Sequence, residues 1–206
     1  MDYSTEQEAF WAGEFGDEYL IRNQGEDMIA SNLNLFSRIL ARAPDVRSIA
    51  ELGCNVGMNL RALKRLRNDF ELRGYEIHSG AAEQARGLGV AEVINETVIK
   101  SLPVDRQFHL TFTKGVLIHI NPEYLAQVYK NLISLSTRYV LVCEYYNPTP
   151  VSTSYRGNEE RLFKRDFAGE LMDLHGLRLV DYGFCYGRDP YFTNDDSTWF
   201  LMEKSR

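Results

Sequence analysis

From Glu51 to Gly57 the chain reads Glu-Leu-Gly-Cys-Asn-Val-Gly, a carboxylate followed by small residues and two glycines. Small residues at a turn let the backbone come close to a bound molecule, and a strand-to-helix turn is where open α/β sheets hold ligands. Asn55 takes the middle position, and asparagine is the side-chain-bearing residue that best tolerates left-handed backbone angles. Glu51, at the strand end, is placed to organise the loop and the amino-acid end of a ligand. About two dozen residues after the turn, Gly74-Tyr75-Glu76-Ile77 closes a second apolar run with a carboxylate spaced to accept both hydroxyls of a ribose. Tyr75 and Ile77 border a slot for a flat base, and Thr97, in Glu96-Thr97-Val98, follows the third run at the same end. A dinucleotide site wants glycines at the first, third and sixth positions, which here are Gly53, Asn55 and Met58. The pattern therefore suits adenosine joined to an amino acid, with no pyrophosphate to cradle, better than a nicotinamide dinucleotide. Lys114 and Gly115 leave a fourth run, and beyond them His119 is the only histidine expected at an active-face strand end. An imidazole of near-neutral pKa can take a proton from an attacking nucleophile, worth roughly a hundred- to ten-thousand-fold. It equally suits a structural hydrogen bond beside a helix start, leaving proximity and orientation, about 7 to 11 kcal/mol, as the larger contribution.

The elements that would position these residues follow from the hydrophobic pattern. Residues 5–22 and 25–42 read as two helices, the first aromatic and weakened by Gly13 and Gly16. Strands are expected at 48–52, 70–77, 91–94, 108–113 and 139–144, with helices at 58–66, 81–86, 122–135 and 159–175. Alternating strands and helices imply a parallel sheet. Two last β-rich runs, 177–186 and 198–203, form a close pair that places one antiparallel strand in it. The expected fold is α/β and Rossmann-like, a mainly parallel sheet of seven strands with a C-terminal antiparallel hairpin and an N-terminal helical cap.

Composition narrows the function. The chain of 206 residues, 44% apolar and 25% charged, fits a single domain, 1–206, with a cap over 1–44 and the Rossmann-like core over 45–206. With 23 basic against 29 acidic residues the formal charge is −6, which argues against nucleic acid as a partner. The N-terminal residues lack a basic and apolar leader and no run is long enough to span a bilayer, so a cytoplasmic protein with no membrane partner is expected. Three widely spaced cysteines, Cys54, Cys143 and Cys185, fit buried thiols, and no Cys/His spacing suggests a metal.

Beyond the fifth strand, Tyr145, Tyr146 and Asn147 head toward the expected cleft with aromatic surface and amide donors suited to a polyhydroxylated ligand. Arg156, Arg161, Lys164 and Arg165 concentrate positive charge that fits either a carboxylate or phosphate of that ligand or a solvated helix face.

The Glu51–Gly57 segment resembles the first motif of class I methyltransferases. The chain as a whole is similar to the pseudaminic acid biosynthesis-associated methylases. That likeness is carried by the stretch from Glu6 to Tyr19 with Arg22 and Asn23, and by Leu117-Ile118-His119-Ile120-Asn121-Pro122-Glu123. It continues in Glu144-Tyr145-Tyr146-Asn147-Pro148-Thr149-Pro150, Tyr155-Arg156-Gly157, Leu162 to Glu170 and Asp195 to Lys204. The resemblance implies S-adenosylmethionine held by Glu51, Gly53, Asn55, Gly57, Glu76, Ile77, Thr97, Lys114 and Gly115, with Tyr19 and Arg22 closing over it. His119 would then be the base, and Tyr145, Tyr146, Asn147 and Arg156 would hold a small-molecule acceptor, an acidic sugar or sugar nucleotide. Another small-molecule acceptor, or a non-catalytic module that binds S-adenosylmethionine, also fits the residues. A dehydrogenase fits least, because of the glycine spacing.

Overall fold

Alternation of apolar side chains builds one sheet with a core on each face. The computed structural model describes residues 4–13, 16, 25–155 and 158–205, with 154, 155 and 158–161 in backbone only. After helices α1 (Glu6–Ala12) and α2 (Glu26–Leu40) come β1 (Ser48–Leu52), α3 (Met58–Leu66), β2 (Glu71–Glu76), α4 (Ser79–Gly87) and β3 (Glu92–Asn95). Then follow β4 (Phe108–Lys114), 3₁₀ turns at Leu117–His119 and Pro122–Tyr124, α5 (Leu125–Leu135) and β5 (Ser136–Glu144). The chain closes with the hairpin β6 (Val151–Tyr155) and β7 (Asn158–Lys164), then α6 (Phe167–His175), β8 (Leu177–Phe184) and β9 (Thr198–Lys204).

The sheet order is β3-β2-β1-β4-β5-β9-β8. Strands β1 to β5 run parallel and β9 runs antiparallel to both of its neighbours. The seven strands and closing antiparallel pair match the expected fold. Chain order reverses between β1 and β4, so the crevice outside their carboxyl ends is the place for a ligand. On one face Leu35, Phe36 and Ile39 of α2 and Leu60 and Leu63 of α3 pack on Ile49, Leu110, Phe112 and Leu141. On the other, Val128, Leu132 and Leu135 of α5 and Phe167 and Leu171 of α6 pack on Ala50, Leu52, Val140 and Val142. Each such side chain contributes about 1.5–3 kcal/mol when fully buried. Together they hold the two strand tips at a fixed separation.

Two expectations are corrected. Residues 159–175 do not form one helix: residues up to Lys164 pair as β7 with β6, and α6 begins only at Phe167. The helix-forming residues of that stretch lose to the β-branched partner strand beginning at Val151 and to burial of Leu162 beneath the hairpin. Asp166 then caps α6 by accepting from the Gly169 amide at 2.8 Å. The first helix is also shorter than expected. Thr5 caps its start, accepting from the Glu8 amide at 3.0 Å, and Gly13 closes it. The helix expected at 122–135 opens with a 3₁₀ turn, Pro122 supplying the fixed first-turn angle. Among the described residues no helix is long and apolar enough to cross a membrane, and no group of three or more His, Cys, Asp or Glu is placed to hold a metal.

Candidate functional site

The glycine turn is shaped by three left-handed residues. Gly53, Asn55 and Gly57 have φ of 80°, 47° and 82°. Asn55 adopts the angle expected of it, and its Oδ1 accepts from the Val56 amide at 2.7 Å. The amides of Gly53 and Cys54 donate to the Tyr75 carbonyl at 2.8 and 2.9 Å, which ties the turn to the tip of β2. There Glu76 completes the link: Oε2 accepts from the Asn55 amide at 2.7 Å and Oε1 from the His78 amide at 2.8 Å. Burial raises its pKa, and these two backbone bonds oppose the rise. One acceptor site per oxygen remains for a ligand hydroxyl.

Two cavities open at this corner. The smaller, about 960 Å³ including its mouth, runs from Glu76, Ile77 and Thr97 at one end to Gly53, Asn55, Lys114, Gly115 and His119 at the other. Helix α1 covers it with Gln7, Glu8 and Trp11. Glu8 hydrogen-bonds the Thr97 hydroxyl and also accepts from the Ser4 amide at 2.7 Å. The Trp11 ring lies 4.5 Å from the His119 ring. The larger cavity, about 1840 Å³ including its mouth, shares Gly53, Asn55, Lys114, Gly115 and His119. It adds Met28 and Ser31 of α2, Glu144 and Tyr145 at the end of β5, and Tyr191 and Asn194 of the β8–β9 loop. Lys114 is the one Lys or Arg among the described residues lining either cavity.

Not every expected residue reaches a cavity wall. Glu51 is fully buried beneath the corner; Oε1 accepts from Asn59 at 2.6 Å and Oε2 has no hydrogen-bond partner among the described residues. Burial pushes its pKa up to about 8, against the pull of the Asn59 bond and of Lys114. Gly57 faces α4, where an added Cβ would meet Leu88 at 3.1 Å and Ala85 at 3.2 Å; it shapes the turn and lines neither cavity. Tyr145 lines the larger cavity, but Tyr146 is 44% exposed and turns to the Phe200 ring 5.9 Å away. Asn147 is half-buried and donates to the Thr149 carbonyl at 2.5 Å. Tyr146 points to the opposite side from Tyr145, and the bond to Thr149 holds Asn147 in a local turn, so of the three only Tyr145 lines the cleft. Tyr19, Arg22 and Arg156, and the side chain of Arg161, lie outside the described residues. Lys164 sits over the Tyr145 ring at 5.4 Å and Arg165 pairs with Glu170 at 2.5 Å, so these cations are not one solvated helix face.

The structure adds residues that sequence reasoning missed. His78 also lines the smaller cavity, and its Nδ1 accepts from the Ala81 amide at 3.1 Å, capping α4; His119 is not the sole strand-end histidine on this face. The Ile77-His78-Ser79 step from strand to helix carried that signal. Glu8 and Glu144 had none, because each becomes a site residue only through burial against distant elements.

No family model and no curated protein matches the sequence. Solved structures match in fold. The 1,6-didemethyltoxoflavin-N1-methyltransferase of Burkholderia thailandensis, with 1,6-didemethyltoxoflavin and S-adenosylhomocysteine bound, is 12% identical with a TM-score of 0.74, covering 100% of this chain and 92% of its own. The magnesium protoporphyrin IX methyltransferase of Synechocystis PCC 6803, with S-adenosylmethionine bound, is 12% identical with a TM-score of 0.69 and 100% coverage of both chains. The plantazolicin methyltransferase, in complex with S-adenosylhomocysteine, is 10% identical with a TM-score of 0.67, covering 97% and 94%. The chain has the class I methyltransferase fold.

Proposed function

We propose that the protein is an S-adenosylmethionine-dependent methyltransferase, one domain over 1–206, that methylates oxygen or nitrogen on a small polar acceptor of the nonulosonic-sugar type. The observation that carries this is the meeting of two cavities at Gly53, Asn55, Lys114, Gly115 and His119, a trough along the strand tips opening onto a separate polar chamber.

The residues fit the cofactor. Gly53 has no room for a side chain, since an added Cβ would stand 2.5 Å from Val116 Cγ2, so the corner stays bare backbone. Glu76 keeps acceptor capacity for ribose hydroxyls, Ile77 and Thr97 border the base slot, and the unpartnered Glu51 Oε2 lies buried beneath the amino-acid end. When bound, the cofactor supplies an electrophilic methyl group on a sulfonium. The chain's own residues do the rest. Gly53, Asn55 and Gly115 would hold the cofactor's methyl-bearing end against bare backbone, and the larger cavity would admit the acceptor. His119, on the wall common to both, would take the proton that a hydroxyl loses as it attacks, or that an amine's ammonium form must shed before its nitrogen lone pair can attack. Water is kept from the trough by α1, through Trp11 over His119 and Glu8 on Thr97. Orientation across the shared wall is the larger part of the rate, about 7 to 11 kcal/mol.

Support for a sugar acceptor is the polar lining and the Tyr145 ring, together with the family resemblance. Lys114 would face the acid of such a sugar. A second acceptor class, an amine, is favoured by the carboxylates Asp27, Glu144 and Asp195 on the described wall of the larger cavity against the single Lys114. Incubating cell extract with isotopically labelled methyl donor and locating the label by mass spectrometry decides between them. A labelled acidic or amino sugar is the expected product, and labelled product of neither class would overturn the acceptor assignment.

A further inference from the structure

One carboxylate on the wall of the larger cavity is held by backbone amides. Glu144, at the tip of β5, is 2% exposed. Its Oε1 accepts from the backbone amides of Val116 at 3.1 Å and Leu117 at 3.2 Å, and its Oε2 from that of Ile118 at 3.5 Å. These amides open the 3₁₀ turn Leu117–His119, and the first N–H groups of a helical turn have no partner inside it. An acceptor from elsewhere must satisfy them, and a negative one also meets the positive end of the turn's dipole.

The segment so held is the wall common to both cavities. Just before it, the Gly115 amide donates to the Cys143 carbonyl at 3.0 Å, continuing the β4–β5 ladder to the last residue before Glu144 takes over. Val116 packs over Gly53, closing the glycine cradle from the far side. At the other end of the turn stands His119 with the Trp11 ring against it, and β7 packs along the outside. Burial presses Glu144 toward its neutral form and the three amides oppose it; burial prevails, pushing the pKa up to about 7. A carboxylate kept in so costly a place, where an apolar side chain would leave the turn amides unsatisfied, has the turn as its purpose.

We propose that Glu144 is a positioning residue, fixing the 116–119 turn so that His119 and Val116 stand at set distances from Gly53 and from the acceptor. The inference rests on the methyltransferase assignment but is read out separately from it. Glu144→Gln keeps the length and one accepting oxygen but turns an NH₂ toward an amide donor. Glu144→Asp keeps the charge but falls short by one methylene, about 1.5 Å. Since a 1 Å misplacement can cost on the order of a hundredfold in rate, either change should be visible in turnover.

The test compares the full-length protein with both variants in the presence of S-adenosylhomocysteine. NMR follows amide hydrogen exchange at Leu117 and Ile118 and the ring resonances of His119, alongside labelled methyl transfer to extract. The expected result is at least tenfold faster exchange in the turn with Leu141 and Val142 of β5 unchanged, shifted His119 resonances, and transfer down about a hundredfold. Affinity for S-adenosylhomocysteine should weaken much less than transfer. Unchanged turn exchange and His119 resonances in both variants would overturn the proposal, as would uniformly faster exchange through the sheet or failure of both variants to fold, either of which makes Glu144 a general stability residue. If the unaltered protein neither binds S-adenosylhomocysteine nor transfers methyl, the methyltransferase assignment fails, while the exchange and His119 resonances still report on the turn.

Discussion

Glu51 shows what a single buried carboxylate does to the behaviour of the whole chain. Its burial raises the pKa from 4.5 to about 8, so the folded protein holds a proton that the unfolded chain releases at lower pH. For a carboxyl raised in this way the contribution to stability is complete below the unfolded value and is lost as pH climbs through the folded one. Glu144, pushed to about 7, and Glu76, raised by burial, act in the same direction. The urea unfolding free energy is therefore expected to fall between about pH 5 and about pH 8, and Glu51→Gln should flatten the fall by a few kcal/mol. A profile that rises over this window, or one that Glu51→Gln leaves unchanged, would count against a neutral Glu51. Gln retains the acceptor for Asn59, so the variant removes the charge without opening a cavity.

Among the elements, α6 and the β6–β7 hairpin show where local sequence stops being a guide. The run from 159 to 166 is rich in helix formers, yet strand pairing with 151–155 claims its first part and Asp166 marks the true helix start. That cap lies seven residues past the expected boundary, because a capping aspartate was hidden inside a longer charged run. Asp166→Ala should cost about 1 kcal/mol, within a range of roughly 0.5–2, by loss of the bond to the Gly169 amide. Chemical denaturation measures it, and a change near zero would show that α6 is fixed by packing of Phe167, Ala168 and Leu171 alone. By contrast α3 has the bounds expected of it, Met58 to Leu66, since a glycine turn before it and regular leucine spacing within it leave no competing choice. The corner where Gly53, Asn55 and Glu76 meet was legible for the same reason: they sit at strand tips whose ends are written in the local pattern.

At the scale of the molecule, the sheet was legible because each strand announces itself with an apolar run and each crossover with a helix, and handedness and layering then allow few arrangements. The larger cavity was not. Its wall gathers Met28 and Ser31 from α2, Glu144 and Tyr145 from β5, and Tyr191 and Asn194 from the loop before β9, residues brought together only by the completed fold. Tyr146 and Asn147, expected there, line neither cavity, because packing on Phe200 and a local turn at Thr149 set the path of the chain past β5. The cofactor corner depends on fewer contacts, and Glu76 holds the centre of it. Glu76→Ala leaves the amides of Asn55 and His78 without their acceptor, about 1–3 kcal/mol apiece if they stay buried, and removes the proposed ribose partner as well. Calorimetry of S-adenosylmethionine, S-adenosylhomocysteine and NAD with the native chain and with Glu76→Ala, circular dichroism confirming that both are folded, is the most direct test. Saturable heat for both adenosyl ligands with the native chain, none for NAD, and at least a hundredfold weaker binding after Glu76→Ala are expected. No heat with either adenosyl ligand at millimolar concentration, or binding of NAD in their place, would contradict the assignment.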